Sequence, residues 1–150
     1  ARPYLEHLAE ATGASAMLST YENGHIVALD QAEGRDSLRI VTAPGARLPL
    51  HCTSQGKVAL AYMSESEAAR LLARAPLTPF TPHTETDASA LLASLPACRE
   101  AGFAVENGEY KIGSVLGMFR SVHSDEFAHA ERAVVAAGQM LSAALGYPGK

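Results

Sequence analysis

The sequence predicts one α+β domain in which helices flank an antiparallel sheet. Two strand-like runs, at 14–21 and 25–31, lie on either side of Asn23-Gly24. This dipeptide favours a two-residue hairpin turn because both residues tolerate positive φ. Helical segments follow in the middle of the chain, and further strand-like runs precede a last helix. Strands and helices that are segregated in this way, rather than alternating, are typical of an α+β fold.

The first half of the chain contains a helix, several extended runs and a second helix. Pro3 can begin a helix and Gly13 can end it, so residues 3–12 are predicted to be helical. The other elements of this half are an extended run at 34–42, a turn at Pro44-Gly45, an extended piece around Pro49, and a helix after Thr53 and Ser54, whose hydroxyls suit an N-cap.

The second half begins with two helices that carry clear start signals. Ser64 and Glu67 form a capping box, which predicts a helix that runs to about residue 75. Asp87 can cap a helix over 88–101, and Pro96 is expected to kink or divide it. The other elements are an irregular loop with Pro76, Pro79 and Pro82, a strand at 102–106, a turn at Asn107-Gly108, a strand at 114–120 and a final helix after Ser124.

Composition and charge exclude several classes of protein. The 12 basic and 16 acidic residues give a net charge of −4 without a basic block, so this part is not expected to bind DNA directly. Cys52 and Cys98 form no C-x-x-C pair and are expected to be reduced thiols. No apolar run reaches the roughly 18–20 residues that span a bilayer, and the first residues lack the layout of a signal peptide. We therefore expect a cytoplasmic protein.

The strongest motif lies at 47–64, RLPLHCTSQGKVALAYMS. The pattern L-P-L-H-x-T-x-x-G-K-x-x-L-A within it resembles the central signature of the effector-binding domain in the IclR family of bacterial transcriptional regulators. The apolar, proline, histidine and glycine-lysine positions must all agree in register, which makes the resemblance specific. The matching residues are Leu48, Pro49, Leu50, His51, Thr53, Gly56, Lys57, Leu60 and Ala61.

The resemblance extends over most of the chain, with one departure. Residues 98–106, CREAGFAVE, resemble the family segment I-R-x-x-G-Y-A-x-D, and 114–117, SVLG, resemble its S-V-S-G strand end. Between these two segments family members carry a further strand, a turn and the start of the next strand. Here Gly113 is followed at once by Ser114. Roughly 15–25 residues are therefore missing, either because the protein is naturally shortened or because a segment was left out of the numbering.

The resemblance implies a GAF/PAS-like antiparallel sheet with flanking helices and a small-molecule pocket beside the sheet. It implies that residues 1–150 are a single effector-binding domain, without the winged helix-turn-helix domain that precedes it in the family. It further implies a homodimer or a tetramer, which contacts DNA only through that absent domain. No cofactor is implied.

The resemblance also implies which residues contact the effector. Hydroxyls, an amide and the backbone N–H groups at a helix start can hold a carboxylate, while apolar side chains form a wall. Gln55 is bulkier than the small residue that the family usually has at this position, and Leu116 replaces the second serine of the family motif. Both differences suggest an effector less polar than a simple keto acid. The alternative is that Ser54 only caps a helix and Ile40 only fills the core. The implied contacts are Ser37, Ile40, Ser54, Gln55, Gly56, Glu106, Ser114 and Leu116.

No catalytic or metal site is predicted. His51 and Cys52 are adjacent in a run expected to be extended, where their side chains would point to opposite faces and form no nucleophile–base pair. A cluster at 123–129 has two histidines and two acids, but the acids also suit the first turn of a helix. Lys57 and Lys111 are expected to be surface charges, and residues 109–111 an exposed turn.

The favoured function is therefore small-molecule sensing in a DNA-binding transcriptional regulator, with an organic acid or an aromatic metabolite as the effector. One alternative is a dimerisation or interaction module with a vestigial pocket. Another is a small enzyme, for which Glu106 is the titratable candidate in the pocket.

Overall fold

The computed structural model describes residues 2–35, 42–74, 76–111, 132–137 and 139–140. The helices and strands in chain order are α1 (Arg2–Thr12), β1 (Ala16–Glu22), β2 (His25–Ala32), β3 (Arg47–Leu48), α2 (Ser54–Tyr62), α3 (Glu65–Leu72) and α4 (Ala88–Ala101). Residues 132–137 and 139–140 are helical, within the predicted final helix. The three strands form one antiparallel sheet in the order β1-β2-β3. The predicted α+β class is confirmed.

The hairpin between β1 and β2 forms where the sequence predicts it. Asn23 and Gly24 have φ values of 48° and 85°, the pair of positive angles that a type I′ turn needs. The turn pairs Glu22 with His25 and sets the register of the two strands. A bulge lies between Leu18 and Ser19.

Strand β3 is short because of the residues on either side of it. The Pro44-Gly45 turn precedes it, closed by a bond of 3.0 Å from the Ala46 N–H to the Ala43 carbonyl. Pro49 follows it and has no N–H to extend the ladder. Of the extended run predicted at 34–42, residues 36–41 lie outside the described part. The predicted strand at 114–120 lies outside it as well.

Two apolar clusters hold these elements together. The larger one joins the sheet to α2, α3 and α4, and the smaller one packs α1 on the hairpin. Buried residues of the larger cluster are Ile26, Leu48, Leu50, Leu60, Ala61, Ala68, Leu72, Leu91 and Leu95, and those of the smaller are Leu5, Ala9, Ala16 and Ala32. Within the described ranges, no helix is both long and apolar enough to cross a membrane.

The ends of the middle helices follow their predicted caps with two differences. Thr53, Ser64 and Asp87 cap α2, α3 and α4 through side-chain oxygens that accept backbone N–H groups. Helix α3 ends at Leu72, earlier than predicted, and α4 runs through Pro96 without division. A proline removes one intrahelical bond, but the helix packs on the core both before Pro96, through Leu91 and Leu95, and after it, through Cys98.

Arg99 in the last turn of α4 ties that helix to the end of α2. Its Nε donates to the Ala61 carbonyl at 2.6 Å, and its Nη2 donates to the Met63 carbonyl at 2.7 Å. The last carbonyls of a helix have no partner within the helix. The Arg99 guanidinium donates to carbonyls there, and the negative end of the α2 dipole stabilises its positive charge.

The start of α2 lies directly on the backbone of Leu50. A Cβ built on Gly56 would be 2.2 Å from the Leu50 carbonyl oxygen and 2.5 Å from its Cα. The two segments can approach this closely only because residue 56 has no side chain. Gly56 therefore fixes how the helix enters the core.

Cys52 in the turn before α2 is fully buried. Its exposed fraction is 0 %, and this burial, together with the nearby Glu109 and Glu106 carboxylates, raises the pKa of the thiol to about 12. A thiol in such a site stays protonated at neutral pH and is a poor nucleophile. Both cysteines are free thiols, as predicted, and Cys98 is only half-buried.

Replacement of Gly56 by alanine should destabilise the protein by at least about 1–3 kcal/mol, because the new methyl overlaps the Leu50 backbone. In an unobstructed helix the same change stabilises the protein by roughly 0.5–1 kcal/mol. The sign of the change in unfolding free energy therefore shows whether Leu50 obstructs the new methyl group. Urea unfolding measures the difference. The control is Gly24→Ala, where the added Cβ meets nothing within 4 Å and only the φ of 85° opposes it. A stabilised Gly56→Ala variant would show that the two segments can separate freely.

The two thiols should differ in reactivity toward iodoacetamide at about pH 8. We expect Cys98 to be alkylated first in the folded protein and Cys52 only after unfolding, as measured by peptide mass spectrometry. Because folding raises the pKa of Cys52, its contribution to stability is complete below the ordinary value of 9.0 and is lost as pH rises through about 12. A Cys98→Ser variant isolates the signal of Cys52. Equal alkylation rates in the folded protein would contradict the burial of Cys52.

Candidate functional site

The entrance to α2 is a buried polar turn. Thr53 is fully buried; its hydroxyl donates to the Pro49 carbonyl at 2.7 Å and accepts the Gly56 N–H at 3.1 Å. Ser54 is also buried and donates from Oγ to Oε1 of Gln55 at 3.2 Å. The sequence places these residues here because Thr53 has the extended backbone of an N-cap. The turn presents hydroxyl, amide and backbone groups at the positive end of the helix dipole.

Glu106 lies in a second turn, and its side chain shapes that turn. The residue is 1 % exposed, and its Oε1 accepts the backbone N–H groups of Glu109 at 2.5 Å and Tyr110 at 3.0 Å. The predicted strand at 102–106 is wrong for the described residues, where 103–106 are not part of a strand. Bonds from a side chain to nearby backbone compete with strand pairing, and here they end the extended segment in a turn at 107–110.

Lys57 links the two turns. Its Nζ donates to Oε1 of Glu109 at 2.5 Å and to the Val105 carbonyl at 3.1 Å. The Lys57 and Glu109 side chains are only 12 % and 14 % exposed. The prediction that Lys57 is a surface charge is therefore wrong. The prediction that residues 109–111 form an exposed turn is wrong for Glu109, whose side chain is mostly buried.

The proline-containing loop before α4 holds the Glu106 turn from another side. Thr81 Oγ1 donates to the Gly108 carbonyl at 2.6 Å, and Thr84 Oγ1 donates to the Glu109 carbonyl at 2.6 Å. Thr84 Oγ1 in turn accepts the N–H of Thr81 at 2.9 Å, which braces the loop itself. Sequence reasoning treated this loop only as irregular and missed both threonine contacts.

Aromatic contacts surround this loop. The Phe80 ring lies 5.9 Å from the His51 ring and 5.0 Å from the Tyr110 ring, in an edge-to-face arrangement with the latter. Lys111 places its Nζ 5.5 Å from the centroid of Tyr110. These contacts tie the α2 entrance, the loop and the Glu106 turn into one unit.

His51 and Cys52 are both buried in the turn before α2. They lie in a turn rather than in the extended strand that was predicted. His51 is buried with its Nε2 3.0 Å from the Thr78 carbonyl, and the Cys52 thiol is protonated at neutral pH. Among the described residues no three histidine, cysteine, aspartate or glutamate side chains group together as metal ligands. The cluster at 123–129 lies outside the described part.

The implied effector contacts fall into two groups. Ser54, Gln55 and Gly56 lie together at the α2 entrance, and Glu106 lies in the turn whose Val105 carbonyl and Glu109 carboxylate bind Lys57. The missing Cβ of Gly56 faces the Leu50 backbone, so the lack of a side chain at this position permits close packing there. The other four, Ser37, Ile40, Ser114 and Leu116, lie outside the described residues.

Two clefts in the described part lie elsewhere, beside α1. One has a volume of about 300 Å³ and is bordered by Arg2, Glu10 and Arg35. The ion pairs at its edge, such as that of Arg35 with Glu10 at 3.4 Å, join side chains that are mostly exposed. The other is smaller, about 90 Å³, and lies against the helical residues near the end of the chain. Neither cleft contains an implied contact residue.

Known proteins similar to this chain are regulators of transcription. It is 36 % identical over 111 residues to SauR, a probable transcriptional regulator of Cupriavidus necator, covering 74 % of this chain and 44 % of SauR. It is 30 % identical to the HTH-type regulator XynR of Escherichia coli K12, covering 99 % of this chain and 66 % of XynR. The chain thus spans less than two thirds of these relatives. The XynR alignment runs over 167 positions, more than the 150 residues here, so it includes gaps in this chain.

Solved structures agree with these relatives. An IclR transcriptional regulator from Silicibacter sp. TM1040 is 27 % identical with a TM-score of 0.88, covering 99 % of this chain and 66 % of that one. A double mutant of the inducer-binding domain of the PobR transcription factor from Acinetobacter, in complex with 3-hydroxybenzoic acid, is 25 % identical with a TM-score of 0.63. That match covers 73 % of this chain and 64 % of the PobR chain.

The family comparison matches the motif at 47–64 and extends far beyond it. The model of the bacterial transcriptional regulator IclR C-terminal domain matches residues 1–137. The chain belongs to the IclR family of bacterial transcriptional regulators, as a member of its C-terminal, effector-binding domain.

Proposed function

We propose that this domain binds a small organic acid or an aromatic metabolite at the α2 entrance and the Glu106 turn. The observation that carries the proposal is the Glu106 carboxylate, which is 1 % exposed and lies in a turn that Lys57 of α2 binds through Glu109 and the Val105 carbonyl. Buried polar groups from two segments far apart in sequence converge there. Such convergence of a few polar groups within an apolar shell is typical of ligand sites.

The two sides of the site suit different parts of a ligand. The start of α2, with the Ser54 hydroxyl and the Gln55 amide, suits a carboxylate because the helix dipole favours negative charge at that end. Glu106 suits a hydroxyl or amino group that donates a hydrogen bond. The ligand of the PobR domain, 3-hydroxybenzoic acid, carries both a carboxylate and a hydroxyl group. In this proposal Gly56, Ser37, Ile40, Ser114 and Leu116 complete the lining.

We infer that the ligand acts by favouring one arrangement of the parent protein over another. The energy available for this is the difference between the ligand's affinities for the two arrangements. The relatives are longer and XynR is named as an HTH-type regulator, so DNA contact is assigned to a helix-turn-helix part outside these 150 residues. We propose that residues 1–150 act as one domain in a cytoplasmic homodimer or tetramer.

The proposal predicts that a hydroxylated aromatic acid stabilises the chain. A ligand at about 100 times its Kd adds about 2.7 kcal/mol, which is several degrees in Tm for a domain of this size. Thermal unfolding would be followed with 3-hydroxybenzoate, benzoate, 3-hydroxybenzyl alcohol and short aliphatic carboxylates. Loss of binding with benzoate but not with the alcohol would assign recognition to the hydroxyl, and the reverse pattern to the carboxylate.

Variants locate the binding within the domain. Ser54→Ala and Glu106→Gln should remove most of the ligand-induced stabilisation, whereas Ser94→Ala should retain it. Ser94 is a fitting control because its hydroxyl also bonds within the protein, to the Leu91 carbonyl at 2.7 Å on α4. If no compound in the panel raises the Tm, the domain is better described as a dimerisation or interaction module with a vestigial pocket.

A further inference from the structure

A lysine and two threonines hold the Glu106 turn from two sides. Lys57 binds it from α2, through Glu109 and the Val105 carbonyl, and Thr81 and Thr84 bind it from the loop before α4. We propose that Lys57 is a positioning residue, which holds the Glu106 carboxylate in place through Glu109. Its effect on ligand affinity rests on the proposed function above, whereas its effect on the turn does not.

The Lys57–Glu109 contact is short and enclosed. The two atoms lie 2.5 Å apart, and the side chains are 12 % and 14 % exposed. Taking two charges out of water opposes their attraction, so a buried pair adds little to stability compared with apolar residues of similar size. The observed effect of the pair is geometric, because the ammonium binds two acceptors in the same turn, the Glu109 carboxylate and the Val105 carbonyl, and so ties that turn to the helix.

The backbone of residues 109 and 110 connects the Glu109 side chain to the position of the Glu106 carboxylate. The N–H groups of Glu109 and Tyr110 both point at Oε1 of Glu106, at 2.5 and 3.0 Å. Anchoring the side chain of Glu109 therefore anchors the peptide group that orients the Glu106 carboxylate. The Thr84 hydroxyl holds the other end of residue 109 by its carbonyl.

Lys57 also fixes where the turn lies relative to α2. Lys57 and Glu109 are 52 positions apart in sequence, and Lys57 and Val105 are 48 apart. Both contacts originate within one helical turn of Ser54 and Gln55. The lysine thereby sets the distance between the two proposed halves of the ligand site, which is the property that determines fit to a rigid ligand.

The first experiment measures the turn without any ligand. Hydrogen exchange of the Glu109 and Tyr110 amides, resolved by NMR, would be compared in the wild-type chain and the double variant Lys57→Met/Glu109→Gln. The double variant removes both charges of the pair, so neither partner is left as an ion without the other. Positioning predicts exchange at these two amides about tenfold faster, with amides of α3 unchanged. Unchanged exchange at both amides would overturn the proposal.

Two further variants separate positioning from general loosening. Arg35→Met/Glu10→Gln removes an exposed ion pair, 3.4 Å long, and should leave both amides unaffected. Thr84→Val removes the tie from the other side, keeps the size of the side chain, and should also speed exchange at Glu109. Should the lysine variant fail to fold, the Thr84 variant and the single variant Glu109→Gln decide the question by the same measurement.

The second experiment tests the consequence for binding, with 3-hydroxybenzoate as the probe in calorimetry. We expect Lys57→Met/Glu109→Gln to weaken binding about tenfold, and to have little further effect in a Glu106→Gln background, because both act through one carboxylate. If the effects of Lys57→Met/Glu109→Gln and of Glu106→Gln on the binding free energy are fully additive, positioning through Glu106 is overturned. If 3-hydroxybenzoate does not bind the wild-type chain, the proposed function fails for this ligand, and the exchange rates alone decide on the positioning role.

Discussion

The structure depends on one close contact, that of the Gly56 backbone with the backbone of Leu50. Because these segments meet with no side chain between them, the turn at 51–53 is enclosed and its polar groups must find partners inside the protein. Thr53 meets this need by bonding both to Pro49 and to Gly56. The same enclosure raises the pKa of the Cys52 thiol and brings the start of α2 against the Glu106 turn. A buried polar helix start is thus a direct consequence of the packing of one glycine.

The second constraint is the competition for the backbone after α4. Residues 103–106 have the composition of a strand, but the Glu106 carboxylate accepts the N–H groups of Glu109 and Tyr110, and the Val105 carbonyl accepts a bond from Lys57. Threonines of the proline-containing loop take the carbonyls of Gly108 and Glu109. Every one of these bonds joins a side chain to the main chain, so a few side chains determine the path of this segment.

These features suit a domain that recognises a ligand rather than one that transforms it. The chain belongs to a family of transcriptional regulators, whose effector-binding domains are not enzymes. In keeping with this, the Cys52 thiol is protonated and His51 is engaged with a main-chain carbonyl. The most enclosed polar groups bond to the protein itself, which fixes their geometry.

The sequence by itself determined the local elements and the family. The Asn23-Gly24 hairpin and the caps at Thr53, Ser64 and Asp87 were predictable because each depends on residues within a few positions of one another. The motif at 47–64 identified the family because its positions must agree in register. Only the tertiary structure decided that Lys57 is buried against Glu109, that Gly56 rests on Leu50 and that 102–106 ends in a turn. The lysine contact joins residues 52 positions apart, and the strand was lost to contacts from two other segments. Such choices depend on which segments the core brings together, and local patterns carry no information about that.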